Sequence, residues 1–337
     1  MLLDVENLNI AIATPMGPLR AVQDVSFSVS KGETLCIVGE SGCGKSITAL
    51  SLLGLLPKAA KRTASRMIFD GIDMQMMSKA ELRELRGNRL SMIFQEPMTA
   101  LNPLHTVGRQ LTDVYRAHRK ATRKKARERA TYLLERVGIS NPLQRLNQYP
   151  HELSGGLRQR VVIAMALMCE PELIVADEPT TALDVTIQAE LLRLLIDLQK
   201  SFGMGMIMIT HDLGLVSRIA DQVIVMYAGQ VVEAASVEKI FSSPSHPYTR
   251  ALLGSVPDPS HPRMEPLPSI PGTVPSLLNR IEGCHFFDRC SFASDSCKKP
   301  VQLAKVSQNH EARCIKLARR NLRERLWHER SPHSSTD

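Results

Sequence analysis

Apolar and polar positions alternate from Leu3 to Val29 around a short break, TPMGP, at residues 14–18. A period of two with a central turn predicts a pair of antiparallel strands over 3–29. The pattern then changes. TLCIV (34–38) is a short, largely apolar run, followed by GESGCGKS (39–46) and the apolar-rich ITALSLLGLL. That succession predicts a buried strand, a loop and a helix over 34–56. Residues 66–94 read as a strand, an Asp70–Gly71 turn, a short charged helix and another strand. Residues 96–160 read as mainly helical. Helix and strand patterns alternate over 161–232, as a parallel sheet requires. Residues 256–275 are rich in proline, which excludes a regular helix and predicts an extended linker. The expected fold class is α/β.

Composition narrows the picture. The chain has 337 residues, 43% of them hydrophobic and 23% charged, enough for a sizeable core. No apolar run reaches the roughly 18 residues of a membrane-spanning helix. The N-terminal MLLDVENLNI has no basic start and carries Asp4 and Glu6, so it does not read as a signal peptide. On these features the chain is expected in the cytosol. A net charge of +8 and a pI near 9.2 suit an acidic partner without naming one. Part of the excess is local: RAHRKATRKKARER (116–129) holds eight basic residues and one acid. A solvated helix face, near lipid headgroups, is the favoured reading of that run. Aromatic residues are 4% of the chain, which gives little basis for stacking single-stranded bases.

GESGCGKS fits the pattern G-x-x-x-x-G-K-[ST] between a strand and a helix. Gly39, Gly42 and Gly44 allow positive φ and a close backbone approach to a ligand. The N–H groups along Gly39, Glu40, Ser41, Gly42, Cys43 and Gly44, with the following helix N-terminus, suit phosphate oxygens. Lys45 supplies a cation for the β and γ phosphates, and Ser46 a hydroxyl for Mg²⁺. LIVADEP (173–179) sets two acids behind an apolar strand. Asp177 is placed to hold Mg²⁺ and Glu178 to orient or deprotonate the attacking water.

GESGCGKS, LSGGLRQR (153–160) and LIVADEPTTALD (173–184) together resemble the ATP-binding subunits of ABC transporters. The resemblance runs over about residues 3–255 by motif order and more loosely to about 315. It implies a P-loop NTPase fold with an antiparallel β subdomain, an α-helical signature subdomain at about 96–160 and a small Cys-containing C-terminal extension. It implies ATP and Mg²⁺ as ligands. Gln95, in MIFQEP, matches the glutamine that contacts the metal or attacking water; His211, in IMITHD, matches the γ-phosphate histidine. Asp184 ends the D-loop segment TALD. Ser154, Gly155 and Gly156 of the signature, with Gln159, would complete the ATP pocket of a second subunit. The family usually stacks an aromatic on adenine near the end of the first strand; here that position is Ile12, an aliphatic contact.

SSPSHPYTRALLGSVP (242–257) and the tail GCHFFDRCSFASDSCKKP…HEARC resemble the oligopeptide and dipeptide branch of ABC importers, with His246, Pro247, Tyr248 and Thr249 the most recognisable residues. Where the family has proline after the second cysteine, this chain has Ser291. Cys284, Cys290, Cys297 and Cys314 are spaced C-x5-C-x6-C-x16-C. In some members this pattern is associated with a [4Fe–4S] cluster; a tetrahedral zinc and four free buried thiols are the alternatives.

The expected organisation is an ATP-binding domain at 1–255, a linker at 256–275, the extension at 276–320 and a basic tail at 321–337. A basic helix over 315–330 would put Ile315, Leu322, Leu326 and Trp327 on one side. The resemblance implies an ATP-hydrolysing subunit of a peptide-type importer, peripheral on the cytoplasmic face of a bacterial inner membrane. Its implied partners are two permease subunits, a second ATPase subunit of the same or a homologous chain, and indirectly a solute-binding protein, with no nucleic acid. Two rivals are weighed against this: a soluble ABC ATPase acting on nucleic acid or ribosomes, and a non-catalytic regulatory module. One cassette without sustained heptads disfavours the first, and Glu178 with His211 the second.

Overall fold

The computed structural model describes residues 1–180, 185–256, 269–278 and 281–317. The first two strands, β1 (Leu3–Thr14) and β2 (Gly17–Val29), pair antiparallel from Leu3↔Val29 to Thr14↔Gly17. The buried β3 (Thr34–Val38) follows. Next come β4 (Ala60–Thr63), β5 (Arg66–Phe69) and β6 (Ile72–Asp73). β1, β2, β4, β5 and β6 form a five-stranded sheet in which β4 and β5 both pair with β1. The Asp70–Gly71 turn has positive φ at both residues, 46° and 80°, the geometry of a tight hairpin.

An eight-stranded sheet runs β12–β13–β11–β10–β3–β9–β8–β7. Its members are β7 (Leu90–Ile93), β8 (Leu173–Asp177), β9 (Gly205–Ile209), β10 (Gln222–Tyr227), β11 (Gln230–Ser236), β12 (Ala304–Ser307) and β13 (His310–Ala312). β10, β3, β9, β8 and β7 are parallel. These strands read as apolar runs because both faces are covered. Leu35, Ile37, Leu173, Val175, Ile207, Ile209, Ile224 and Met226 pack towards the antiparallel sheet. Their neighbours Cys36, Val38, Ile174, Ala176, Met206, Met208, Val223 and Val225 pack towards the helices. The period of two thus divides the core into two layers.

Helices span Lys45–Leu52, Lys79–Leu85, Val107–His118, Arg123–Arg136, Gly155–Ala166, Val185–Phe202 and, after β9, Leu213–Ile219. Thr106 and Thr122 cap two of them, accepting from the N–H groups of Arg109 and Lys125. The basic run at 116–129 is only partly a solvated face. Arg119 donates to Cys169 O at 3.1 Å, and Arg129 donates to Met168 O and Leu167 O, each at 3.2 Å. Two arginines therefore satisfy carbonyls where the Gly155–Ala166 helix ends.

The tail is joined to the main sheet rather than standing apart from it. β13 pairs antiparallel with β11 through Glu233↔Ala312 and Ala235↔His310, and β12 pairs with β13. Short polar strands at 304–312 carry little hydrophobic period, so sequence pattern misses them. The expected linker core at 257–268, Leu322, Leu326, Trp327 and the basic tail lie outside the described residues.

Glu233, fully buried, fastens this edge. It accepts from the N–H groups of Ser245 and His246 at 2.6 and 2.8 Å and lies 2.8 Å from His310 Nε2. Glu233→Ala leaves these groups without their acceptor and is expected to cost about 3–5 kcal/mol. The check is a drop in the urea unfolding midpoint of the full chain.

Candidate functional site

Parallel strands align their C-terminal ends, and here four neighbours each deliver one segment. The GESGCGKS loop follows β3. Asp177 ends β8 and Glu178 follows it. Thr210 and His211 follow β9, and Gln95 follows β7. Strand order β3–β9–β8–β7 brings these segments side by side.

The glycines have separate reasons. Gly39 (φ 151°) and Gly44 (φ 104°) lie against fixed backbone: a Cβ would sit 2.2 Å from Met226 O and 2.5 Å from Ala21 O respectively. Gly42 has φ 77° with open space around it. The loop is thus held between the end of β10 and the side of β2. Lys45 is buried, and its Nζ donates to Gly39 O at 2.7 Å and Glu40 O at 3.0 Å. The Cys43 side chain is fully buried, with its Sγ 3.9 Å from Lys45 Nζ. Ser41 is exposed.

Ser46 Oγ donates to Asp177 Oδ1 at 3.0 Å. Burial pushes the Asp177 carboxyl above its usual range, and the Ser46 hydrogen bond pulls it back in part. Hydroxyl and carboxylate together form a donor set suited to a hard divalent cation. Glu178 has φ 43°, unusual for a residue with a side chain. Its N–H donates to Ile209 O at 3.0 Å. This left-handed turn answers how two successive acids serve one site, since regular strand geometry would send them to opposite faces. Around Glu178, Gln95 Nε2 donates to Oε2 at 3.2 Å, and His211 Nδ1 lies 3.5 Å from Oε1. Three residues taken from separate strands thus meet at one carboxylate.

The signature segment opens the Gly155–Ala166 helix. Ser154 caps it, accepting from Leu157 N–H, and Ser154 and Gly155 are exposed. Gln159 departs from expectation. It is 1% exposed, and its Nε2 donates to Pro179 O at 2.7 Å. Its direction is inward, towards the segment after Glu178, because it falls on the helix face opposite the solvent. Ile12 is half-buried on β1, opposite Leu19 and Ala60. Asp184 lies outside the described residues.

Cys284, Cys290, Cys297 and Cys314 line one small cavity with His246, Pro247 and Phe287. Burial pushes the Cys284 thiol up to about 11 and raises that of Cys290. Among the described residues, no three His, Cys, Asp or Glu side chains are close enough to hold one metal ion. Sequence reasoning missed Arg289 and Tyr227, which lie against Glu40 of the phosphate loop, and His285, which bonds the turn after β10. Arg289 pairs with Glu40, and His285 Nδ1 donates to Ala228 O at 2.7 Å. An arginine inside a Cys-rich segment carries no motif, so only proximity reveals it.

Gly44→Ala is expected to weaken binding of a nucleoside triphosphate at least about tenfold, because the added methyl displaces the loop from Ala21 O. Equilibrium titration of the full chain with a fluorescent ATP analogue checks this.

Residues 22–181 match the family model "ABC transporter", and residues 232–297 match "Oligopeptide/dipeptide transporter, C-terminal region". The chain is 53% identical to a probable peptide ABC transporter ATP-binding protein, y4tR, of Sinorhizobium fredii, covering 93% of this chain and 94% of that one. It is 49% identical to the dipeptide transport ATP-binding protein DppD of Bacillus subtilis, covering 93% of each. Among solved structures it is similar to the dimeric ATP-binding cassette MJ0796 in a post-hydrolysis state with ADP and Pi. That match has a TM-score of 0.63 and 26% identity, over 70% of this chain and 99% of that one.

Proposed function

The chain belongs to the ATP-binding proteins of peptide ABC transporters, and from that membership we propose how its residues bind and cleave ATP to drive import. It is the ATP-hydrolysing subunit of a peptide-type importer. The nucleic-acid rival is not favoured, since the matched relatives are named for peptide transport. The single observation that carries the catalytic reading is the convergence of Gln95 and His211 on Glu178, beside the Ser46–Asp177 pair.

In this reading the loop's N–H groups and Lys45 hold the β and γ phosphates. Lys45 exchanges its two carbonyl acceptors for phosphate oxygens, a charge-assisted gain. Ser46, Asp177 and Gln95 are the residues that would hold Mg²⁺, whose bound charge offsets that of the phosphates. Glu178 accepts a proton from the attacking water, and Gln95 orients the carboxylate. His211, two-thirds exposed, has room to reach the γ-phosphate. Ser154 and Gly155, exposed at a helix N-terminus, offer hydrogen-bond donors to the triphosphate of a second subunit. That arrangement makes ATP part of a dimer interface, closed by ATP and released by hydrolysis.

A transmembrane permease and a second ATPase subunit are the partners. The finer assembly we propose has two permeases, a same or homologous ATPase partner, and the cytoplasmic face of the inner membrane. No helix among the described residues is long and apolar enough to cross a membrane. For the four thiols we propose a [4Fe–4S] cluster, since each thiolate would bind a separate iron and so suits a ring around a cavity.

Glu178→Gln is expected to retain ATP binding and to lower turnover by about 10²–10⁴-fold, measured as phosphate release with the permease in lipid. Unchanged turnover would remove Glu178 from its role. Protein purified anaerobically is expected to carry iron and acid-labile sulfide, both lost in Cys290→Ser; zinc alone, or neither element, contradicts the cluster.

A further inference from the structure

The phosphate loop contains an acid, Glu40, beside the site where a highly anionic triphosphate is read to bind. An unpaired carboxylate there would repel the ligand. Arg289 pairs with it through two parallel bonds: Nη1 donates to Glu40 Oε2 at 2.6 Å and Nη2 to Oε1 at 3.0 Å. This fork geometry fixes direction as well as charge. The Arg289 side chain is 5% exposed. Its remaining capacity is also used: Nη1 donates to Tyr227 Oη at 3.2 Å, Nη2 to Ile270 O at 3.1 Å and Nε to Pro271 O at 2.8 Å. Tyr227 and Phe286 lie under the guanidinium, 5.7 and 6.0 Å from ring centre to Cζ. The loop is gripped at its backbone too, because Glu40 N–H donates to Tyr248 Oη at 3.0 Å.

The grip reaches the phosphate-binding lysine in one step, since the carbonyl of Glu40 accepts from Lys45 Nζ. The residues that supply it are compact in sequence. His285, Phe286 and Arg289 all lie between Cys284 and Cys290. We propose that Arg289 serves the nucleotide site by neutralising Glu40, so that the Cys284–Cys290 segment becomes an in-chain part of the ATP pocket. The proposal rests on the ATP-binding reading above.

The test is equilibrium binding and steady-state hydrolysis of MgATP by the full chain. Arg289→Gln, which removes the charge, raises the Kd and KM for MgATP about tenfold, with kcat within about twofold of wild type. Arg289→Lys, which keeps the charge and loses the fork, stays within about threefold of wild type. Glu40→Gln combined with Arg289→Gln recovers most of the lost affinity, because the uncompensated carboxylate is gone. A purely structural role would give no such recovery. The proposal is overturned if Arg289→Gln binds MgATP as wild type does, if Arg289→Lys loses as much as Arg289→Gln, or if the double variant stays weak. Should the Arg289 variants not fold, Glu40→Gln alone decides: it must bind MgATP at least as tightly as wild type, and weaker binding overturns the proposal. A wild-type chain that does not bind MgATP contradicts the function reading instead, and is distinguished by that control.

Discussion

The alignment of the parallel strands β3, β9, β8 and β7 is the constraint on which the site depends. Their register sets Asp177 opposite Ile209 and Ile37 opposite Ile209. The chain leaves the sheet at one level, so loop, acids, histidine and glutamine arrive within reach of one another. A slip of one residue in β8 would turn Asp177 towards the wrong layer and exchange the two halves of the core. The apolar runs that fix the register are therefore as necessary to the chemistry as the polar residues that perform it. The left-handed turn at Glu178 adds the one local departure that lets successive acids share a pocket.

The tail extends the same logic. β13 adds to β11, Glu233 fastens that edge, and the Cys284–Cys290 segment reaches back to the phosphate loop. Two halves far apart in sequence thus share one sheet and one charge balance. The aromatic group of Tyr227, Tyr248 and Phe286, with ring centres 4.6 to 5.4 Å apart, fills the space between them. A terminal segment that reads as an appendage is packed behind the ATP loop.

Much of this was legible in the residues. The TPMGP break, the apolar TLCIV and LIVAD runs and the Asp70–Gly71 turn each announce their element through local physics, and GESGCGKS announces its ligand. Glu178, Gln95 and His211 were legible through motif likeness. The rest was hidden because it is non-local. Nothing near Gln159 says that it will bond Pro179 O, and nothing near Arg129 says that it will close the end of another helix. β12 and β13 are short, polar and edge-placed, so their pairing depends on β11 rather than on their own pattern. Arg289 pairs across 249 positions of sequence, beyond any periodic signal.

The most direct measurement of the central claim is calorimetric titration of the full-length chain with MgATP, beside the same titration of Lys45→Ala. The account predicts saturable binding of one nucleotide per chain that disappears when the lysine is removed. Equal binding in both proteins, or none in the wild type, would contradict it.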